Sequence, residues 1–520
     1  MAQRARDLGI VAGTGNPGPH NAITDVAGVS VGHTTLISGD GPLVPGRGPV
    51  RTGVTVVLPR TEEIWDRPVF AGCHTLNGNG EVTGLEWIRE AGLLATPVGL
   101  TSTHSVGVVR DALAAWEARQ RGYDPDAWSL PVVGETWDGR LNDASGGHVG
   151  PQHVLDALAA AAAGPVPEGN VGGGTGMICH GFKGGIGTAS RLVEDAHGRH
   201  TVGVLVQANH GSRAGFTVNG VPAGQLIGPD RVALPGGPSA APGPDPRPGA
   251  GSIIGIVATD APLLPHQCRR LAQRAVIGIA RLGAVGEHYS GDFFLAFATG
   301  NDGIPGDHGP PPAPVVPLGM LPDTRITGLF RGVAEATEEA VLNALVAART
   351  MTGRDGITAH QLPAGELAAL LAARSAASPS APPTPASRPS AGGRAAIEAA
   401  SRASAFGNIR LHPIVSVSNY GTDPCCAPGG GRAGMGAAAG WLLLAVPPQY
   451  RHRYRRLAAG RAGHRGHPAD TAADHRQRHR HAHRVDLAAG DRAGGRRARH
   501  LRRGVRAAVH GRPGIPRRSA

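Results

Sequence analysis

The sequence predicts a mixed α/β fold of layered sheets and helices, followed by a long extension of different character. Three observations carry this reading. Short β-branched runs are closed by Gly or Pro, and longer segments with apolar residues at three- and four-residue intervals alternate with them. Such alternation packs helices onto sheets. After Arg374 the composition changes abruptly.

The elements follow in order. Residues 54–58 are β-branched and bounded by Gly53 and Pro59, which marks a strand. Residues 108–119 and 154–163 carry helical spacing, and 202–206 return to a strand pattern. Between Leu234 and Gly251, 11 of 18 residues are Gly or Pro, so this stretch reads as an exposed loop. It stops at Ser252, where the apolar strand 253–257 begins. A helix over 266–282, a strand over 293–297 and helices over 329–349 and 364–374 complete the region. No repeat recurs at a fixed period.

Charge divides the chain in the same place. The total is +12 over 520 residues, but residues 375–520 hold 25 Arg against six acidic residues, or +19, and residues 1–374 carry −7. The expected organisation is therefore one folded region over 1–374 and a low-complexity Arg/Ala/Gly-rich tail over 375–520. A dense Arg tail can neutralise phosphates. Low complexity alone builds no binding site, and one Lys, Lys183, against 50 Arg is what an out-of-frame reading of GC-rich coding sequence would also give. Nucleic acid is the weakest partner reading.

Other classes fall away on composition. No strict Gly-X-Y period runs through the 80 Gly and 44 Pro. The longest apolar run of the tail, Trp441 to Val446, is far short of a bilayer span. Met1 to Gly13 has no continuous apolar segment of a secretory signal. Cys73, Cys179, Cys268, Cys425 and Cys426 include no CxxC pair, which suggests reduced thiols and a cytoplasmic location.

Several motifs fail on their chemistry. The stretch GNVGGGTGM from Gly169 lacks the third Gly of a dinucleotide fingerprint and is followed by no GK[ST] triplet, so turn and close-approach roles explain it better. No HExxH or paired CxxC occurs, and His74, His104 and His180 lack a partner at ligand spacing, so no metal is expected. In THSVG, Ser105 stands where a nucleophile elbow would put its serine, but Thr103 replaces the first Gly. A conventional serine esterase using Ser105 remains an alternative, with capping of the following helix as the plainer role.

Ser252 offers more. Its hydroxyl follows Gly251 at the junction of a loop and a strand, and Gly leaves the preceding carbonyl open to attack. An N-to-O acyl shift followed by hydrolysis would cut the chain. Ser252 would then carry both the nucleophile and an α-amine of pKa about 7.7–8.0, suited to a general base near neutral pH.

From about Asn21 to His360 the sequence resembles the L-aminopeptidase D-amidase/esterase (DmpA) family and the related β-peptidyl aminopeptidases. The segments that carry the resemblance occur in order: AITDVAGVSVGHTTL from Ala22, GPVRTGVTVVLPR from Gly48, FAGCHTLNGNGEVTGLEWIRE from Phe70, THSVGVVRDAL from Thr103 and VVGETWDGRLND from Val132. They continue with EGNVGGGTGMICHGFKGGIGTASR from Glu168, VGVLVQANHG from Val202, GSIIGIVATDAPLLPHQ from Gly251 and SGDFFLAFAT from Ser290. EATEEAVLNAL and TMTGRDG close the series.

The resemblance implies a four-layer α/β/β/α sandwich, self-cleavage between Gly251 and Ser252, and release of unblocked N-terminal residues from peptides, amides and esters through an acyl-enzyme on Ser252. It implies no cofactor or metal, and self-association as a homotetramer. Asn209 matches an oxyanion donor, and Ser290 and Asp292 match a polar pair at the nucleophile and its amine. Some relatives have Glu there, so Asp292 reaches about one methylene less far. Glu135 matches an acid that holds the substrate ammonium. Trp137 falls where other members carry Tyr, and its indole offers one N–H and no hydroxyl. Loop packing accounts for Glu135 and Trp137 equally well.

Overall fold

The computed structural model describes residues 3–60, 64–196, 198–236, 251–306 and 315–377. Most of the Gly/Pro-rich loop, Cys425, Cys426 and the tail from residue 378 lie outside the described residues.

The strands are β1 (Ser30–Ser38), β2 (Val50–Leu58), β3 (Val69–Gly78), β4 (Leu93–Leu94), β5 (Val98–Ser102), β6 (Val132–Thr136), β7 (Ile178–Cys179), β8 (Phe182–Lys183), β9 (Gly185–Asp195), β10 (Gly198–Asn209), β11 (Ser252–Thr259), β12 (Gly291–Ala298) and the short pair β13 (Met351–Thr352) and β14 (Thr358–Ala359). Four helices build the outer layers, α1 (Val106–Gln120), α2 (Pro151–Ala159), α3 (Pro265–Arg281) and α4 (Thr327–Ala347), and α5 (Ala364–Ala377) ends the described chain. One sheet has the order β1-β2-β5-β6 and the other β4-β3-β12-β11-β10-β9. Helices α1 and α2 cover the first, α3 and α4 the second, and the sheets face each other, which is the expected α/β/β/α sandwich. Among the described residues no helix is long and apolar enough to cross a membrane.

Every predicted element is present, with shifted ends. The strands extend further than their apolar runs because flanking Gly and polar residues such as Arg51, Thr52 and Ser252 continue the ladder. The strands β1, β3, β5, β6 and β9, not singled out by pattern, interleave Gly and Thr with their apolar positions.

The run of apolar residues in β11 has a simple cause. Ile254, Ile256 and Ala258 face the inter-sheet core, and Ile253 and Val257 face the helices. In β12, Phe293, Leu295 and Phe297 point inward while Phe294, Ala296 and Ala298 meet the helical layer. With successive side chains on opposite faces, a strand covered on both sides must be apolar throughout. These central strands are therefore rigid, and their ends hold polar groups in fixed register.

Candidate active site

Strand register assembles the site. β10 runs antiparallel to β11 with Asn209 opposite Ser252, and β12 runs parallel to β11 with Gly291 beside Ser252. Three residues far apart in sequence thus form one row at the edge of the central sheet. Ser252 is buried, and its Oγ accepts the Gly291 N–H at 3.1 Å. The same N–H reaches the Gly251 carbonyl oxygen at 3.2 Å. One backbone donor therefore touches both the hydroxyl and the carbonyl that an acyl shift would join.

Gly251 has a tighter reason to be glycine than an open carbonyl. A Cβ there would sit 1.8 Å from the Asn209 carbonyl oxygen, inside any permitted contact. The backbone of β10 presses on the residue before Ser252, and only a hydrogen fits.

Asn209 is held by both ends of its amide. Its Oδ1 accepts the Ile178 N–H at 2.8 Å, and its Nδ2 donates to the Trp137 carbonyl at 3.0 Å. An amide nitrogen has two hydrogens, so a second one stays available for a developing oxyanion. The Trp137 side chain is 46% exposed and its indole packs over Gly139. The contribution of Trp137 to this network is its main-chain carbonyl.

Ser290 and Asp292 flank Gly291. The Ser290 hydroxyl donates to Asp292 Oδ1 at 2.6 Å, and the Asp292 carboxylate accepts the Ile253 N–H. Burial pushes the Asp292 acid up to about 6, reinforced by the charge of Glu287 and opposed by these two hydrogen bonds. The expected direct contact of this pair with the nucleophile is made instead by the Gly291 N–H between them.

Glu135, at the end of β6, is also buried. Its Oε1 accepts the Glu81 N–H at 3.0 Å, its Oε2 accepts the Thr103 hydroxyl, and burial raises its acid above the ordinary range. Gly80 joins this carboxylate to the nucleophile row: a Cβ on Gly80 would lie 2.8 Å from Glu135 Oε1 and 3.4 Å from the Gly291 Cα. Sequence reasoning singled out neither Gly80 nor Gly291, although both stand inside the quoted segments NGNGE and SGDFF.

Ser105 lies at the start of α1, and the adjacent His104 imidazole pairs with Ser145 at 3.4 Å. His180 does have neighbours suited to metal ligation, against expectation: Cys179 adjoins it in sequence and His210 arrives from the end of β10.

Residues 21–359 match Peptidase family S58. The chain is 51% identical over 370 residues to beta-peptidyl aminopeptidase BapA of Sphingosinicella microcystinivorans, covering 71% of this chain and 91% of that one. It is 46% identical over 385 residues to the protein of the same name from Sphingosinicella xenopeptidilytica, again 71% and 91%. Among solved structures it resembles a beta-aminopeptidase of Burkholderia sp. at 52% identity and a TM-score of 0.64, covering 72% of this chain and 99% of that one. The L-aminopeptidase D-Ala-esterase/amidase of Ochrobactrum anthropi matches at 43% identity and 0.64 with the same coverage.

Proposed function

The chain belongs to peptidase family S58, and from that membership we propose a self-processing serine aminopeptidase whose nucleophile is Ser252. The observation that carries the assignment is the shared Gly291 N–H, which contacts both Ser252 Oγ and the Gly251 carbonyl oxygen.

In the continuous chain, Ser252 Oγ attacks the Gly251 carbonyl carbon. The Gly291 N–H polarises that carbonyl, the C–N bond to Ser252 breaks, and the nitrogen leaves with a proton as the α-amine. Water then hydrolyses the ester and frees Ser252 as a new N-terminus. In the cut enzyme this amine takes the Oγ proton as Oγ attacks the substrate carbonyl. Asn209 Nδ2 donates to the oxyanion, and the departing amine receives the proton back. Asp292, fixed by Ser290, faces the new ammonium and sets its protonation. Glu135 holds the substrate's own ammonium, which favours the carboxylate form against the burial that raises its acid. Trp137 shapes the entrance and orients Asn209 through its carbonyl.

The names of the 51% and 46% identical relatives favour peptides that begin with a β-residue as substrates. The hydrolase unit spans residues 1–374 and acts as a self-associated assembly, a homotetramer, in the cytoplasm. The buried reduced thiols Cys73, Cys179 and Cys268 fit that compartment. The tail from residue 375 is dispensable for hydrolysis.

Denaturing gels test the assignment. The purified chain should give two bands, the one that holds residues 252–520 beginning SIIGIVATD, and Ser252→Ala should give one uncut chain inactive on aminoacyl p-nitroanilides. Cleavage at 251/252 in the Ser252→Ala protein would end the proposal.

A further inference from the structure

One buried cluster takes no part in hydrolysis. β7 and β8 form a hairpin with Cys179 opposite Phe182, and its turn residues His180 and Gly181 have φ of 50° and 70°. Positive φ at both central positions is the type I′ turn, which Gly adopts freely and a histidine does not. Side chains of neighbouring residues would alternate across an extended strand, but the left-handed His180 turns its imidazole toward the same side as the Cys179 thiol. His210, next after the end of β10, meets them there. One ligand atom from each of the three lies within 4.8 Å of the others, and all three side chains are buried.

The nitrogens are the decisive detail. His180 Nδ1 donates to the Ser212 carbonyl at 3.2 Å, which leaves the lone pair on Nε2. That Nε2 and the His210 Nε2 are both buried with no hydrogen-bond partner, a costly arrangement. The Cys179 sulfur lies 3.8 Å from His210 Nδ1. Stacking of His180 on Phe216, 4.7 Å between centroids, places the ring but satisfies neither nitrogen. An imidazole whose second nitrogen is anchored to a carbonyl is how metal-ligating histidines are oriented.

We propose that Cys179, His180 and His210 bind a thiophilic closed-shell cation, Cu(I) ahead of Zn(II). Near pH 7 a thiol of ordinary pKa, about 8.5, carries its proton, and metal binding requires the thiolate and neutral imidazoles. Binding therefore replaces the S–H bond with a sulfur–metal bond and releases one proton to solvent. A thiolate and two neutral imidazoles leave a monovalent ion with no net charge. A divalent ion would leave one positive charge beside Arg213, whose guanidinium donates to the His180 carbonyl at 3.0 Å, and beside buried Lys183. Three ligands also suit Cu(I), whereas Zn(II) takes four.

The full-length protein is produced in copper- or zinc-supplemented cells, purified without chelator and analysed for metal. It is also titrated anaerobically with Cu(I) against bicinchoninate and with Zn(II) against a chromophoric chelator. The expected result is about one copper per chain, a thiolate-to-copper ultraviolet absorption and one proton released on binding. Retention should fall at least about tenfold in Cys179→Ser and in His210→Phe, which keeps an aromatic ring in place. If either variant fails to fold by circular dichroism, the absorption and proton release of the wild-type chain decide. Equal retention by wild type and folded variants, or neither copper nor the absorption in the wild type by either route, overturns the site. Preferential retention of zinc overturns the charge argument that selects Cu(I).

Discussion

Asp292 sits in a place that costs the folded chain stability at neutral pH, and the size of that cost follows from its surroundings. Burial raises its acid from 3.8 to about 6. At 1.36 kcal/mol per unit, the ionised form is disfavoured by about 3 kcal/mol relative to the unfolded chain. The sign follows from proton counts. Between pH 4 and 6 the unfolded chain has released this proton and the native chain still holds it, so native stability falls as pH rises through that window and stays lower above it.

The perturbation is Asp292→Asn in a Ser252→Ala background, which keeps both proteins uncut. Urea midpoints by tryptophan fluorescence at several pH values give the stability difference between the pair. Other titrations cancel, and any constant cost of the amide drops out of the trend. The difference should shift in favour of the Asn chain by about 3 kcal/mol from pH 3.5 to 7.5, with most of the change between 4 and 6. A difference that stays flat means the carboxyl ionises at its ordinary pH and burial does not control it. A shift of opposite sign means a cation already neutralises it in the uncut chain. If the chain is cut as proposed, the new amine of Ser252 adjoins the Ile253 N–H that this carboxylate accepts, so cutting would supply a cation next to the acid that burial disfavours in the precursor.

Further outcomes follow from single contacts. Gly251→Ala puts a Cβ 1.8 Å from the Asn209 carbonyl, so gels should show at least a hundredfold slower appearance of the two bands, on the order of what a 1 Å misplacement costs; cutting at the wild-type rate would refute the close approach. Gly80→Ala crowds Glu135 Oε1 at 2.8 Å and should lower kcat/KM on aminoacyl p-nitroanilides about a hundredfold while self-cleavage proceeds. Equal loss of both reactions would mean Gly80 serves the nucleophile and not the substrate amine. Lys183→Met strips the Nζ donor from the carbonyls of Gly174, Met177 and Gly184 and should cost about 1–3 kcal/mol in urea unfolding. Ending the chain after Ala377 should leave hydrolysis unchanged, because α5 closes on the core through buried Leu367.

Much of the fold could be read in advance because its central strands are buried on both faces. Between their polar ends, residues 253–258 of β11 and 293–298 of β12 must be apolar, and such runs stand out in any sequence. The strands of the other sheet were less visible. β2 alone announced itself, while β5 and β6 mix Gly and Thr with their apolar residues and β6 ends in Glu135 and Thr136, the first of which belongs to the site. Helix ends moved by a few residues because the last apolar position of a helix need not be its last hydrogen-bonded one.

The site residues were a different matter. Ser252 had a chemical argument of its own, a hydroxyl after glycine at a loop-strand junction, but Asn209, Asp292 and Glu135 were reachable only through resemblance. The reason is physical: what makes them a site is that Asn209 ends β10 where Ser252 begins β11 and Gly291 begins β12, and register between strands leaves no trace in the spacing along one chain. The same holds for His180. Its lone imidazole looked unpartnered because His210 is supplied by a strand end, and because the left-handed turn that brings the Cys179 thiol to the same side is a choice of backbone dihedral, invisible in residue type when the residue is not glycine. A sequence states what chemistry is available; pairing of strands decides which of it converges, and here one sheet edge collects both the hydrolytic row and, one residue beyond Asn209, the thiol–imidazole cluster.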